Sequence, residues 1–271
     1  MDEAANAAPD EAPNDAPPGP RPAPLLVLDR VDKRFGRVVV AEELSLEVAE
    51  GEAVGIVGPN GAGKTSLFAL LSGELAPDAG TVAFAGRPLA GVGPADRARL
   101  GIGRTYQVPR PFGHMTVFEN VLTAAVHGAR PGGRRADDGA ARDAALGALS
   151  LTGLLQQANV PAGRLTLLPR KRLELARALA TGPRLLLLDE VAGGLTDPEV
   201  DELLGIVSVL RDRGLTVLWI EHVVHALTRS VSRLLCLAAG RILADGPPHE
   251  VLADPAVREA YLGIDPERAD A

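Results

Sequence analysis

The sequence predicts an α/β fold in which a parallel β-sheet is buried on both faces. Residues 53–57 form a short apolar run that leads through a glycine-rich turn into a helical segment at residues 64–71, which is the order of a strand–loop–helix unit. Residues 185–188 and 215–220 are continuous apolar runs that end in acidic residues or histidine, as is typical of buried parallel strands. Because α/β sheets bind ligands at the carboxyl ends of their strands, the polar residues there are the first functional candidates.

The composition is that of a globular protein and argues against several classes of function. Of the 271 residues, 46% are hydrophobic and 23% are charged, and no apolar run approaches the ~20 residues of a membrane-spanning helix. The single cysteine, Cys236, cannot form an internal disulfide, and the first residues lack the pattern of a secretory signal, so we expect a cytoplasmic protein. The net charge of −7 argues against a broad surface for nucleic acid, and no nucleic-acid partner is expected.

The chain divides into regions of different composition. Residues 1–24 are rich in alanine, proline and acidic residues, which predicts a disordered tail. After this tail, apolar and polar residues follow the pattern of strands at residues 25–28, 38–40 and 44–48. Residues 98–178 contain apolar residues at helical spacing over much of their length, which predicts a helical insertion in the α/β core.

Local composition predicts several smaller features. Residues 128–139 contain no large apolar residue and are predicted to form an exposed loop. Asp197 is predicted to cap a helix that has Pro198 at its first position. The basic group at residues 170–172 is expected to be a solvated helix face, and Cys236 is expected to lie in the core.

The strongest chemical signal is a phosphate-binding loop after the strand at residues 53–57. The pattern G-x-x-x-x-G-K-[ST] is satisfied within the run Gly58, Pro59, Asn60, Gly61, Ala62, Gly63, Lys64, Thr65 and Ser66. Glycines let the backbone curl so that several amides point at phosphate oxygens, and the helix that begins near Lys64 adds its positive dipole end. Lys64 would reach the β- and γ-phosphates and Thr65 would ligate Mg²⁺. The alternative is a glycine-rich turn that matches by chance.

A pair of carboxylates follows the apolar run at residues 185–188. Asp189 is predicted to hold Mg²⁺ through water, and Glu190 to polarise the water that attacks the γ-phosphate, because phosphoryl transfer needs charge neutralisation and a positioned nucleophile. Alone, the pair would be interpreted as an acidic strand end. Together with the phosphate loop earlier in the chain, it predicts nucleotide hydrolysis.

Five segments in this order resemble the nucleotide-binding subunit of an ATP-binding cassette (ABC) transporter. They are the phosphate loop and residues 104–107, 165–174, 188–190 and 220–222. The resemblance covers residues 25 to about 250 and implies an α/β, P-loop NTPase (RecA-like) ABC cassette core with an antiparallel β subdomain and a helical subdomain at about residues 98–178. Residues 251–271 would then form a C-terminal extension.

Further segments resemble the branch of this family that imports branched-chain amino acids. They are residues 103–107, 115–122, 172–179, 194–196 and 260–263. The resemblance implies an ATP-hydrolysing subunit that acts with membrane permease subunits on the inner face of the membrane and, indirectly, with an extracytoplasmic solute-binding protein. The alternatives are an importer of amides such as urea, a soluble ABC ATPase without a permease, and a nucleotide-binding module that does not hydrolyse ATP.

The resemblance also assigns roles to three residues outside the loop and the acidic pair. Gln107 matches the glutamine that contacts Mg²⁺ and couples to the membrane subunit, and His222 matches the histidine near the γ-phosphate. Phe35 matches the aromatic residue that stacks on adenine. Without the resemblance, Gln107 would be a surface amide, His222 a structural histidine and Phe35 an edge-strand core residue. Residues 108–115 are predicted either to dock the permease or to pack as a rigid loop on their own helices.

The family signature, usually Leu-Ser-Gly-Gly-Gln, falls on Leu165-Thr166-Leu167-Leu168-Pro169 and departs from the family pattern. Thr166 retains a hydroxyl that can face ATP. Leu167 and Leu168 replace residues that let the backbone approach a phosphate, and Pro169 has no amide hydrogen to donate. In the sandwich dimer of the family this segment faces ATP on the opposite chain. We therefore expect a heterodimer with a second, related cassette chain, and a homodimer is the alternative.

Overall fold

The computed structural model of the chain describes residues 23–128 and 137–262, apart from the side chains of residues 225, 226, 261 and 262. Residues 1–22 of the predicted tail, most of the predicted exposed loop and the end of the predicted C-terminal extension lie outside these residues. None of the helices in the described ranges is both long enough and apolar enough to cross a bilayer.

The strands are β1 (Pro24–Phe35), β2 (Val38–Ala49), β3 (Ala53–Val57), β4 (Ala79–Phe84), β5 (Arg87–Pro88), β6 (Ile102–Arg104), β7 (Leu185–Asp189), β8 (Thr216–Ile220), β9 (Arg233–Ala238) and β10 (Arg241–Gly246). The helices are α1 (Lys64–Ser72), α2 (Pro94–Leu100), α3 (Val117–His127), α4 (Asp138–Leu151), α5 (Leu167–Ala180), α6 (Asp197–Asp212), α7 (Val224–Ser230), α8 (Pro248–Ala253) and α9 (Pro255–Val257). Short 3₁₀ turns span Leu155–Gln157 and Ala162–Arg164, and a π-helical turn spans Arg258–Leu262.

Within the described ranges the strands form two sheets. The smaller sheet is antiparallel and has the strand order β2-β1-β4-β5, as expected for the antiparallel β subdomain. The larger sheet has the order β10-β9-β3-β8-β7-β6, in which the pairs from β9 to β6 are parallel and β10 is antiparallel to β9. The carboxyl ends of β3, β6, β7 and β8 therefore lie at one edge of this sheet. The phosphate loop, Gln107, the acidic pair and His222 lie at or just after the ends of these four strands.

The larger sheet is covered on both faces, which explains its continuous apolar strands. Every residue of β3, β7 and β8 is buried. Leu187 and Leu218 belong to the core shared with α1 and the smaller sheet, whereas Leu188 and Trp219 belong to the core formed with α6. Successive side chains of a strand point to opposite faces, so a strand buried on both sides cannot alternate with polar residues. Cys236 is fully buried, and its predicted place in the core is confirmed.

Helices α3, α4 and α5 form a helical unit with its own core. Ala125, Ala141, Ala145 and Ala176 are fully buried there, and such small side chains let helices approach closely. This unit is narrower than the range of about 98–178 expected from the sequence, because β6 belongs to the larger sheet, where it pairs with β7. A strand of three residues is too short to display a periodic pattern.

Helix α6 begins at Asp197, but the residue before it provides the cap. Thr196 is the N-cap, and its backbone amide donates a hydrogen bond to the carboxylate of Glu199 at 2.9 Å. The prediction that Asp197 caps this helix was therefore wrong. Asp197 instead lies in the first turn, where its charge faces the positive end of the helix dipole.

Candidate active site

The phosphate loop joins the carboxyl end of β3 to α1, and two of its positions accept only glycine. Gly58 and Gly63 have φ angles of 148° and 102°. A Cβ atom would lie 2.0 Å from the carbonyl oxygen of Leu237 at the first position and 2.2 Å from that of Val40 at the second. Both the backbone conformation and the close approach of neighbouring backbone therefore require glycine. In the rest of the loop, Asn60, Gly61 and Thr65 are exposed, Pro59 and Ser66 are half-buried, and Ala62 is buried.

Lys64 begins α1 and folds back over the phosphate loop. Its side chain is buried, and its ammonium group donates hydrogen bonds to the carbonyl oxygens of Gly58 at 2.7 Å and Pro59 at 3.0 Å. Burial lowers the pKa of Lys64, and the nearby carboxylates of Glu190 and Asp189 oppose this change. The loop therefore holds a cation whose partners are neutral carbonyl groups. Phosphate oxygens would make stronger, charge-assisted hydrogen bonds to it.

Asp189 ends β7 and makes a buried ion pair that the sequence analysis did not predict. Arg104, at the end of β6, lies 3.0 Å from the Asp189 carboxylate and 3.1 Å from that of Glu74. Burial raises the pKa of Asp189, and the hydrogen bond from Arg104 opposes the rise. The sequence feature that could have indicated this pair is the position of both residues at strand ends, because the strand ends of a parallel sheet meet at one edge.

Glu190, Gln107 and His222 meet at this edge of the sheet, although they are far apart in the sequence. Nε2 of His222 lies 2.8 Å from one carboxylate oxygen of Glu190, and the side-chain amide of Gln107 donates to the other oxygen. Each residue follows a different parallel strand, so the strand order brings them together. A carboxylate oxygen can accept more than one hydrogen bond, so the two contacts orient Glu190 and still leave acceptor capacity for a water molecule.

Two further buried charges lie beside Glu190. Lys171 on α5 is 5% exposed, so the prediction of a solvated basic face was wrong for this residue. Glu221 is buried and accepts hydrogen bonds from the backbone amides of Ala192 at 2.6 Å and His222 at 3.3 Å. Burial raises the pKa of Glu221, and these hydrogen bonds oppose the rise. The sequence analysis assigned no role to either residue.

Phe35 and Thr166 lie on other elements, and their contact with ATP stays a prediction. Phe35 ends β1 and is 49% exposed, with the ammonium group of Lys33 5.5 Å from the centre of its ring. It is therefore not the edge-strand core residue of the alternative interpretation. Thr166 is the exposed N-cap of α5, and its side chain makes no capping hydrogen bond to that helix.

The chemistry of these residues fits ATP and Mg²⁺. The glycine cradle leaves space that a side chain would fill, and Lys64 supplies a buried cation at the start of a helix. Asp189 provides a carboxylate, Thr65 an exposed hydroxyl and Gln107 an exposed amide oxygen. Oxygen atoms of this kind are the ligands that Mg²⁺ prefers.

Comparisons with known proteins agree with this chemistry. The sequence profile described as "ABC transporter" matches residues 41–193, and the profile described as "Branched-chain amino acid ATP-binding cassette transporter" matches residues 241–266. The high-affinity branched-chain amino acid transport ATP-binding protein LivG of Salmonella typhimurium is 38% identical over 251 residues, which cover 89% of this chain and 98% of LivG. The lipopolysaccharide export system ATP-binding protein LptB of Acidithiobacillus ferridurans is 35% identical over 88% of this chain and 97% of LptB.

A solved structure extends the likeness to the whole fold. The crystal structure of an ATP-binding cassette of an ABC transporter in its ADP conformation superposes with a TM-score of 0.79 at 29% identity. The likeness covers 89% of this chain and 99% of the cassette. The matched family profile, the identity to full-length relatives and the geometry of the phosphate loop lead to one conclusion: this chain belongs to the ABC transporter family, as an ATP-binding, ATP-hydrolysing cassette.

Proposed function

We propose that this cassette drives the import of branched-chain or related amino acids through separate membrane permease subunits. It would lie on the cytoplasmic face of the cell membrane, and an extracytoplasmic solute-binding protein would deliver the cargo. The observation that carries the hydrolytic part is the contact of Gln107 and His222 with the two oxygens of Glu190. The cargo is supported by the likeness to LivG and by the profile match at residues 241–266. LptB is nearly as similar to this chain as LivG, so overall identity distinguishes poorly between the two kinds of cargo. The profile match at the C-terminal end is therefore the stronger support for amino acids.

In this proposal the loop and the strand ends divide the chemistry between them. The loop amides and Lys64 would bind the β- and γ-phosphates, while Thr65, Gln107 and Asp189 would hold Mg²⁺. The metal ion would neutralise charge on the phosphates. Glu190 orients and polarises the attacking water, and Gln107 and His222 hold its carboxylate in one orientation. His222 would also donate a hydrogen bond to the transferring group.

The contact with the permease would involve residues 108–115. Val108 and Phe112 are 64% and 48% exposed, although the loop is held to the helical unit. The buried Asn120 accepts a hydrogen bond from the Phe112 amide at 2.8 Å and donates to the Phe112 carbonyl at 3.1 Å. A cavity of about 200 Å³ nearby is lined by residues that include Tyr106 and Arg177. A rigid loop with exposed apolar side chains beside a cavity supports a docking surface that adjoins Gln107.

The test of the cargo is ATP hydrolysis by this chain assembled with its permeases and its solute-binding protein. We expect leucine, added with the solute-binding protein, to raise the hydrolysis rate severalfold, and urea to leave it unchanged. Stimulation by urea but not by leucine would assign the amide alternative instead. Stimulation by nucleic acid in the absence of any permease would support the soluble ABC ATPase.

We also propose that the chain pairs with a different, related cassette chain rather than with itself. Leu167 is 42% exposed at the start of α5, and Pro169 in its first turn cannot donate an amide hydrogen bond. A segment of this kind would approach a phosphate on the opposite chain poorly. The site on the opposite chain would then turn over slowly, while the site built on Lys64 would use an unaltered signature from the partner. In a homodimer both sites would be weakened equally.

Restoring the signature tests this asymmetry. Leu168 is buried, so replacing it with glycine would also remove core packing. The sharper variant is therefore Leu167→Gly with Pro169→Gln, compared with the full Gly-Gly-Gln replacement. Hydrolysis is measured with the catalytic glutamate of each chain disabled in turn. We expect faster turnover only at the site on the opposite chain, and an unchanged rate at both sites would contradict the idea.

A further inference from the structure

The basic residues at the start of α5 do not share one environment. Lys171 is 5% exposed, although it lies between two arginines that contact other parts of the chain. Arg170 donates a hydrogen bond to the carbonyl oxygen of Gly163 at 3.0 Å, and Arg172 forms an ion pair with Glu202. Burying an ammonium group costs free energy unless it is compensated by hydrogen bonds and opposite charges. The groups around Lys171 must therefore include the hydrogen-bond acceptors and carboxylates that compensate its burial.

Lys171 faces the segment that carries the hydrolytic carboxylate. Its ammonium group donates a hydrogen bond to the backbone carbonyl oxygen of Glu190 at 3.3 Å. Burial lowers the pKa of Lys171, and the carboxylates of Glu221 and Glu190 oppose this change. Glu221 is itself buried, so Lys171 supplies positive charge to a region with two carboxylates.

The backbone of Glu190 needs support of this kind. Its φ angle is 48°, in the left-handed region that residues other than glycine rarely adopt. The conformation is strained and persists only where neighbouring contacts enforce it. The amide of Glu190 donates to the carbonyl oxygen of Ile220 at 2.9 Å, and its carbonyl oxygen accepts from the ammonium group of Lys171 and from the amide of Gly193, each at 3.3 Å. Contacts on both sides of the residue thus fix its peptide planes, and these planes set the direction of its side chain.

We propose that Lys171 is a positioning residue for Glu190 and ties the hydrolytic carboxylate to the helix that begins at the altered signature. This inference rests on the proposed role of Glu190 in hydrolysis. Thr166 is the N-cap of α5, and Lys171 lies in the first turns of the same helix. A shift of α5 when the signature meets its nucleotide would therefore also move the carbonyl of Glu190. The same helix would therefore act on both sites of a dimer.

The experiment compares four substitutions at three positions of one helix in the assembled transporter. Lys171→Met is expected to lower kcat about tenfold, the effect of losing one charge-assisted hydrogen bond, while KM and the affinity for ATP change less than twofold. Arg170→Met and Arg172→Met are matched controls, because they remove neighbouring cations that do not contact Glu190, and both should retain kcat within twofold. Lys171→Arg, which keeps the charge and a donor, should recover most of the rate. A normal kcat in Lys171→Met would overturn the inference.

A double-mutant cycle separates positioning from a general structural role. In a Glu190→Gln background, Lys171→Met should change single-turnover hydrolysis less than twofold, because the carboxylate that it positions is gone. An equal loss in both backgrounds would overturn the inference and indicate a structural role. If Lys171→Met does not fold, Lys171→Gln is tested with the same expected loss. Failure of Glu190→Gln itself to slow hydrolysis would instead contradict the proposed function, so the two failures are distinguishable.

Discussion

Replacing Glu190 with glutamine is expected to slow ATP hydrolysis by about 10² or more while leaving ATP binding intact. The amide keeps the size of the carboxylate but loses its charge and half of its acceptor capacity. In the structure one oxygen of Glu190 accepts a hydrogen bond from the side-chain amide of Gln107, and the other accepts from Nε2 of His222 in the tautomer that carries its hydrogen on Nε2. A glutamine would have to present its NH₂ group to one of these partners, and His222 in its other tautomer can accept from that group, so the loss of charge and basicity is the main change.

The measurement is steady-state hydrolysis beside equilibrium binding of ATP in the purified complex. Glu50→Gln is a suitable control, because Glu50 is exposed and its ion pair with Arg184 lies at the surface. This control should hydrolyse ATP at the normal rate. Full hydrolysis by Glu190→Gln would remove the assignment of that residue, and a parallel loss of binding would point to a damaged loop instead.

The buried strands and the residues that follow them could be predicted because their signals are local and strong. A strand covered on both faces has no polar positions, so β3, β7 and β8 are uninterrupted apolar runs. Parallel strands place their carboxyl ends at one edge, so the meeting of Glu190 and His222 follows from the sequence once β7 and β8 are assigned. The strand β6 escaped prediction because three residues carry no period.

Some roles could not be predicted because they depend on tertiary contacts. Others were not predicted because one sequence pattern conflicted with a second one. Lys171 lies three residues after Leu168 and four before Leu175, both of which are buried, so helical spacing places it on the buried side of α5. The usual preference of lysine for solvent favoured the opposite interpretation. Thr196 and Glu199 form a capping box, which the sequence pattern T-x-x-E also indicates. The prediction named Asp197 as the cap instead of Thr196. The partners of Arg104 come from distant segments, and no local pattern reveals them.

Replacing Lys64 with alanine is expected to abolish tight ATP binding. The ammonium group would make charge-assisted hydrogen bonds to the β- and γ-phosphates, each worth roughly 1.5–3 kcal/mol. Losing two of them costs about 3–6 kcal/mol, which corresponds to a loss of affinity of about 10²–10⁴-fold. The measurement is binding of a fluorescent ATP analogue, together with the rise in Tm that ATP causes in the unmodified protein and should no longer cause in the variant.

Lys64→Ala also removes two hydrogen bonds inside the phosphate loop, and the experiment has to separate this effect from the loss of charge. Lys64 donates to the carbonyl oxygens of Gly58 and Pro59, so alanine removes the donor for both. Lys64→Arg keeps the charge but has a bulkier head group, and it should retain more affinity than Lys64→Ala if charge dominates. Arg99→Ala, which removes an exposed cation, is the control for charge loss elsewhere. Tight ATP binding by Lys64→Ala would contradict the assigned role, because the loop amides and the dipole of α1 would then hold the phosphates without the cation.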